Sequence, residues 1–245
     1  NYARIPLGHS YGLGNLVVAL LAHGVPLGFG AAPVPEVIAA DFGRWRPTVF
    51  PGVPALWRAL AGSGVARERL DSLRVGISAG APLPPDTARE FAGRFGRRLH
   101  NFYGSSETGG IAYDRDGAAT LAGGVGRPMR GVQVNVLRGA RIRVCSTAVF
   151  TQGNRTQVRG AGCWTPPDRA VADARGNLTL LGRRGTTVKI AGRRISPGEV
   201  AARFRALDGV RDAWVAASAG AHPVLGAVVA TELAAAELRG ALQAG

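Results

Sequence analysis

The sequence predicts an α/β protein: a large α/β domain, a β-rich subdomain, and a small α+β domain at the C-terminal end. Three observations carry that expectation. Short apolar runs alternate with amphipathic ones from Asn15 to Arg98, the periodicity changes to two-residue alternation after Gly126, and the charged breaker Gly182-Arg183-Arg184-Gly185 precedes a final mix of helix and strand signals. The expected divisions are residues 1–125, 126–184 and 185–245.

Val25 to Phe29 and Thr48 to Phe50 read as buried strands, Glu36 to Trp45 and Ala55 to Ala61 as helices, and Leu73 to Ser78 as the next strand. Pro84-Pro85-Asp86 opens a helix expected to run through Arg98. Proline and aspartate suit a helix start, and Phe91 and Phe95 fall four apart on one face. Leu99 to Tyr103 is the following strand, which places Asn101-Phe102-Tyr103-Gly104-Ser105-Ser106-Glu107-Thr108-Gly109-Gly110 at a strand end. In open α/β sheets ligands collect outside the carboxyl ends of strands, and glycine lets backbone approach them closely. The preceding strand ends in Ser78-Ala79-Gly80-Ala81-Pro82-Leu83, so two small-residue loops at neighbouring strand ends are expected to form one pocket.

Beyond Gly126, Val132 to Val136 and Arg141 to Val144 alternate as half-buried antiparallel strands do, and Asn177 to Leu181 reads as another strand. A hairpin-like stretch through Ile195 follows the breaker. Ser196-Pro197-Gly198-Glu199 then starts a helix with a capping-box pattern, Ala213 to Ala217 and Val224 to Ala230 read as strands, and Thr231 to Ala244 as a last helix.

Composition narrows the function classes. A chain of 245 residues with 46% hydrophobic content can bury a real core. The apolar run from Leu16 to Ala22 is too short to cross a bilayer, and the N-terminus lacks the pattern of an export signal, so no membrane partner is expected and the cytoplasm is the expected compartment. Cys145 and Cys163 fit no metal-ligand spacing and are expected to be buried or idle thiols. The formal charge of +14 raises nucleic-acid binding, but the arginines are scattered and no basic stripe is interleaved with aromatic residues. Nucleic acid is therefore not an expected partner. Lys189 is the only lysine.

The glycine-rich stretch after Leu99 has chemistry of its own. Tyr103 offers a flat face to a base, Ser105 and Ser106 offer hydroxyls to phosphate oxygens, and Glu107 offers a hard oxygen to Mg²⁺. A solvated turn explains the same residue types, and this stretch alone leaves both readings open.

Several stretches taken in order resemble one family. They are Pro6-Leu7-Gly8-His9-Ser10-Tyr11-Gly12, Ser78 to Leu83, Tyr103-Gly104-Ser105-Ser106-Glu107, Gly162-Cys163-Trp164-Thr165-Pro166-Pro167-Asp168, Gly182-Arg183, and Val188-Lys189-Ile190-Ala191-Gly192-Arg193-Arg194-Ile195. Together they resemble the adenylate-forming superfamily of acyl-CoA synthetases, luciferases and nonribosomal peptide synthetase adenylation domains. The resemblance implies ATP-dependent activation of an acyl or aryl carboxylic acid as its adenylate, then transfer to the thiol of CoA or of a carrier protein's phosphopantetheine. It also implies residue roles. Tyr103 stacks on adenine, with Gly80, Ala81, Pro82, Asn101, Phe102, Gly104 and Ser105 around the nucleotide; Ser106 meets the α-phosphate; Glu107 holds Mg²⁺; and Asp168 and Arg183 clasp the ribose. His9 and Gly80 line the acyl pocket, with Tyr11, Trp57 and Ala81 shaping it. Ser106, Glu107 and Lys189 are the catalytic candidates, Lys189 with a structural ion pair as its other reading.

The resemblance has departures. Gly185 stands where the family carries an acidic hinge residue, and glycine still permits the rotation that brings Lys189 to Ile195 towards the active site. Thr165-Pro166-Pro167-Asp168 replaces the family's Thr-Gly-Asp, and Leu137 to Gly162 aligns poorly. The family's phosphate loop and its late catalytic lysine have no counterpart, so the sequence reads as an incomplete adenylating enzyme. The alternatives are a non-catalytic nucleotide- or acyl-binding remnant and one part of a split enzyme.

Overall fold

The structure is a computed structural model that describes residues 1–150, 162–183, 188–190, 193–218 and 224–243. It divides into two compact units: Asn1–Pro166 with Ala170–Leu180, and Pro167–Arg169 with Leu181–Gly245.

The first unit is built on a five-stranded sheet in the order Val49–Gly52, Val75–Ser78, Leu99–Ser105, Gly109–Tyr113, Arg127–Pro128. The first three strands are parallel, as the alternating signals predict, and the last two run antiparallel. Helices Pro54–Ala61 and Pro85–Phe95 make the crossovers, each with proline in its first turn, where a missing N–H leaves no intrahelical bond unmade. The second of these ends at Phe95, short of the expected Arg98. Gly96 takes φ 64° there and its N–H closes on Ala92 O, a left-handed cap that frees Arg97 and Arg98 to lead into the next strand. Trp57, expected to shape the acyl pocket, is instead fully buried between Phe50 and Phe91, with ring centroids 4.7 and 5.3 Å away, and belongs to the core. Leu60, Leu73, Phe95 and Leu99 complete that core.

The expected strand from Val25 shrinks to Gly28–Phe29, which pairs in parallel with Tyr2–Ala3. The run containing Leu16 belongs to a helical stretch made of Ser10–Gly12, a π-helical Leu13–Val18 and Ala19–His23. Among the described residues no helix is long and apolar enough to cross a membrane.

A second sheet runs Gly162–Trp164, Arg141–Ser146, Asp168–Ala172, Leu178–Arg183, with Gln133–Leu137 also paired to Arg141–Ser146. The two-residue alternation holds: Ile142 and Val144 are fully buried and Arg143 is exposed. One expectation fails here. Cys145 and Cys163 are not idle thiols but a disulfide, because antiparallel pairing sets Cys145 opposite Cys163 across adjacent strands. Their separation of 18 residues gives no sign of that register.

The second unit contains the antiparallel pair Val188–Ile190 and Arg193–Ile195 and the helix Pro197–Arg205. As the capping-box pattern predicts, Ser196 Oγ accepts from Glu199 N at 3.3 Å. Strands Val210–Ala217 and Leu225–Thr231 pair antiparallel, and Ala201, Phe204, Ala213 and Val215 form a small core. The last helix, Ala235–Gln243, starts later than the expected Thr231. Thr231 ends a strand instead, its Oγ1 donating to Gly209 O at 2.7 Å and accepting from Leu233 N at 3.0 Å. Gly185, the expected hinge, and Gly192 lie outside the described residues.

Candidate functional site

The glycine-rich stretch is the turn of a hairpin, not a free loop: strand Leu99–Ser105 returns as Gly109–Tyr113. Its base is fixed from inside. Asn101 is buried, its N–H donating to Thr120 Oγ1 and its Nδ2 to Gly124 O, both at 2.8 Å. Thr120 in turn donates from Oγ1 to the buried Asp114 carboxylate at 2.7 Å, and its backbone N–H donates to the same oxygen at 2.6 Å. Tyr103 is 9% exposed and packs in an apolar cluster with Ile111, Ala112, Ile142 and Val144. At Gly104 the returning strand comes so close that a Cβ would lie 2.5 Å from Gly109 O, a contact with backbone that no side-chain shift relieves.

The apex is held on both sides. Ser105 Oγ and the fully buried Thr108 Oγ1 hydrogen-bond each other at 3.1 Å, and Phe150 N donates to Glu107 O at 2.7 Å. Ser106 and Glu107 are thereby exposed on a turn whose backbone is fixed.

Two other stretches meet this hairpin. His9 is exposed and acts as a helix cap, its Nδ1 accepting from Tyr11 N at 3.1 Å. Ser10 Oγ and Ser106 Oγ share a hydrogen bond at 3.3 Å across 96 residues of chain. Tyr11 is buried, stacks on Phe102 with centroids 6.0 Å apart, and has its hydroxyl 3.2 Å from Gly52 O and 3.1 Å from Ile77 O. Burial holds its phenol far above the usual tyrosine range, so it stays a donor. Ser78 pairs in register with Asn101, and Ala79 shares an apolar cluster with Tyr11 and Phe102. Beyond them Gly80, at φ +87°, Ala81 and Pro82 are exposed. The stretches at 9–11, 78–82 and 101–107 thus converge within the first unit. Sequence reasoning missed Thr108, Thr120 and Asp114, whose work is to hold backbone and which carry no spacing signal. Ser10 lies within Pro6–Gly12, and nothing in the sequence marks it as a partner of Ser106.

In the second unit Arg183 Nε donates to Asp168 Oδ1 at 3.2 Å. The Asp168 side chain is 12% exposed and that of Arg183 68%. Lys189 is the middle residue of its strand, and its side chain lies outside what is described. Among the described residues no group of three or more His, Cys, Asp or Glu is placed to hold a metal ion. A single exposed carboxylate such as Glu107 still suits Mg²⁺, which keeps several waters and takes phosphate oxygens beside one or two protein ligands.

An open α/β sheet whose neighbouring strand ends gather hydroxyls, glycines and one carboxylate presents them where such sheets bind ligands. The chain belongs to the AMP-binding enzyme family, whose model matches residues 2–145. It is 29% identical over 232 residues to a benzoate–CoA ligase of Thauera aromatica, covering 87% of this chain and 44% of the relative. It is also 29% identical over 223 residues to a 4-hydroxybenzoate–CoA/benzoate–CoA ligase of Rhodopseudomonas palustris, covering 81% of this chain and 40% of the relative. Among solved structures it resembles ATP-bound MatB from Rhodopseudomonas palustris, at 26% identity and a TM-score of 0.83, over 99% of this chain and 53% of that one. A benzoate CoA ligase from Burkholderia xenovorans matches at 25% identity and a TM-score of 0.79, over 99% of this chain and 54% of that one. The chain therefore spans less than half the length of the curated relatives it matches.

Proposed function

We propose that this chain belongs to an ATP-dependent acid–CoA ligase acting on an aromatic carboxylic acid, and that the hairpin apex handles the nucleotide's phosphates. The observation that carries the reading is the meeting of Ser10 and Ser106 hydroxyls beside Glu107 on a turn fixed by its neighbours. Relatives named as benzoate and hydroxybenzoate CoA ligases support the aromatic acid and the CoA acceptor. In this reaction a carboxylate oxygen bonds to the α-phosphorus of ATP and pyrophosphate leaves; the thiol sulfur then bonds to the acyl carbon and AMP leaves.

Each residue's share follows from its chemistry. Ser106 donates to an α-phosphate oxygen, with Ser10 positioning its hydroxyl. Glu107 supplies one oxygen to Mg²⁺, which when bound neutralises charge developing on the phosphates. Tyr103 stacks on the base, and the Gly80-Ala81-Pro82 turn gives a ligand access without bulky side chains. In the second unit Asp168 accepts from vicinal ribose hydroxyls, its carboxylate oriented by Arg183. His9 and Gly80 bound the acid's pocket, and Lys189 belongs to the later, thiol-transfer step.

Titration calorimetry of the chain with AMP and Mg²⁺ tests this. Saturable binding is expected, weaker by roughly tenfold or more in Glu107→Ala and in Asp168→Ala, as loss of a charge-assisted contact implies. A folded chain that takes up no AMP, or variants that bind as the parent does, would sink the assignment.

A further inference from the structure

The Cys145–Cys163 bond plays no part in nucleotide handling as read above, yet it lies close along the chain to the support of the Glu107 turn. Cys163 is the centre of the three-residue strand Gly162–Trp164, which among the described residues lies at the edge of its sheet and pairs with Arg141–Ser146. So short a paired segment has few ladder bonds, and a covalent staple adds a constraint that they lack. Ser146, next to Cys145, is buried, pairs with Gly162, and starts a tight turn: its Oγ accepts from Ala148 N at 3.2 Å, and Val149 behind it is buried. The next residue is Phe150, whose N–H donates to Glu107 O at 2.7 Å. Ala148 is also against the hairpin, since a Cβ on Gly109 would lie 3.6 Å from Ala148 Cβ. The residues from Cys145 to Phe150 therefore run directly from the disulfide to the apex. Cys163 is exposed and Cys145 half-buried, so a small thiol can reach the bond.

We propose that Cys145–Cys163 is a thiol–disulfide exchange site through which a dithiol reductant loosens the Glu107 turn and weakens nucleotide binding, an inference that rests on the reading of that turn as the phosphate site. A thiolate of the dithiol attacks Cys163 Sγ, the S–S bond breaks, and Cys145 leaves as a thiolate that takes up a proton. The reductant's second thiolate attacks its own sulfur in the mixed disulfide, releasing Cys163 as a thiol and a cyclic disulfide. Two electrons pass from reductant to protein. With the staple open, the edge strand loses its covalent tie to Arg141–Ser146, Ser146 loses a fixed partner, and local opening at Ser146–Phe150 becomes more frequent.

The test follows amide hydrogen exchange and AMP–Mg²⁺ affinity on the full 245-residue chain, oxidised and after dithiothreitol, beside a Cys145→Ser/Cys163→Ser double variant. Reduction is expected to speed exchange at Ser105–Gly109 and Ser146–Phe150 and to weaken AMP binding about fivefold or more. The double variant should match the reduced parent and ignore the reductant; should it fail to fold, the parent's own two redox states decide. Unchanged exchange and affinity on reduction, or a double variant that still responds to dithiothreitol, overturns the switch. Exchange that shifts with redox state while neither form binds AMP upholds the mechanical link and overturns the nucleotide reading beneath it.

Discussion

The two units hold their candidate residues by different means. In the first, the apex residues Ser106 and Glu107 owe their position to backbone: a strand that approaches Gly104 too closely for any Cβ, and the Phe150 amide bonded to Glu107 O. In the second, Asp168 is oriented by the side chain of Arg183, which is 68% exposed. A contact whose guanidinium stands mostly in solvent is weakened by salt even though the Asp168 side chain is only 12% exposed, whereas a hairpin locked by close contact and buried hydroxyls cannot shift without unfolding locally. The first arrangement fixes an oxygen through backbone contacts, and the second orients one through a side-chain pair that responds to salt. The cores match that division: the first unit encloses Phe50, Trp57, Phe91 and Phe95 in one aromatic run, and the second relies on Phe204 with alanines and a valine.

The strongest way to break this contrast is to empty the aromatic core. Trp57→Ala removes a fully buried ring and should cost the first unit about 3–5 kcal/mol, seen in urea unfolding, with hydrogen exchange in Pro197–Arg205 unchanged. A cost below about 1 kcal/mol, or equal loss of protection in both units, would show that the two cores are not the separate structures described here.

Gly104→Ala attacks the hairpin more locally. Its Cβ meets a backbone oxygen at 2.5 Å, so the strands must part, at a cost of about 1–3 kcal/mol. AMP affinity should fall well beyond what the lost stability explains, because the apex moves while the fold survives. An alanine variant that binds AMP as the parent does would mean that backbone fixation of the apex contributes nothing to the site.

Much of this was legible beforehand, for physical reasons that differ by residue. Prolines at helix starts, the Phe91–Phe95 spacing and the two-residue alternation of Arg141 to Val144 are local signals, and the elements they predict are present. The boundaries that moved, Phe95 for Arg98 and Ala235 for Thr231, were set by a left-handed glycine and by a threonine's hydrogen bonds, which compete with helix propensity only once the chain has folded. Register was not legible. The cystine depends on which residue of one strand faces which of another, and the Ser10–Ser106 contact on how two distant loops fold together. The buried support of Asp114 and Thr120 escaped, and Asn101 reads by resemblance as a nucleotide neighbour and not as their partner, because a polar residue that satisfies backbone looks, in sequence, like any other polar residue.

Tyr11 gives the smallest and most specific test, since it ties the 9–11 stretch to two strand ends through a single hydroxyl near Gly52 O and Ile77 O. Tyr11→Phe keeps the ring stacked on Phe102 and removes that hydroxyl, for an expected cost of about 0.5–1.5 kcal/mol near neutral pH. Its pH dependence separates it from a packing defect. Burial raises the folded-state phenol above its unfolded value of about 10, so the stability it contributes is complete below that pH and is lost as pH climbs towards the folded value. Tyr2 and Tyr113 are also raised, chiefly by burial, so the parent should lose stability above about pH 10 and the phenylalanine variant should lose less, not none. Urea midpoints for both proteins at neutral pH and near pH 11 measure the difference. Parallel losses would place the Tyr11 hydroxyl in solvent and detach the His9–Ser10 loop from the strand ends that carry the rest of the site.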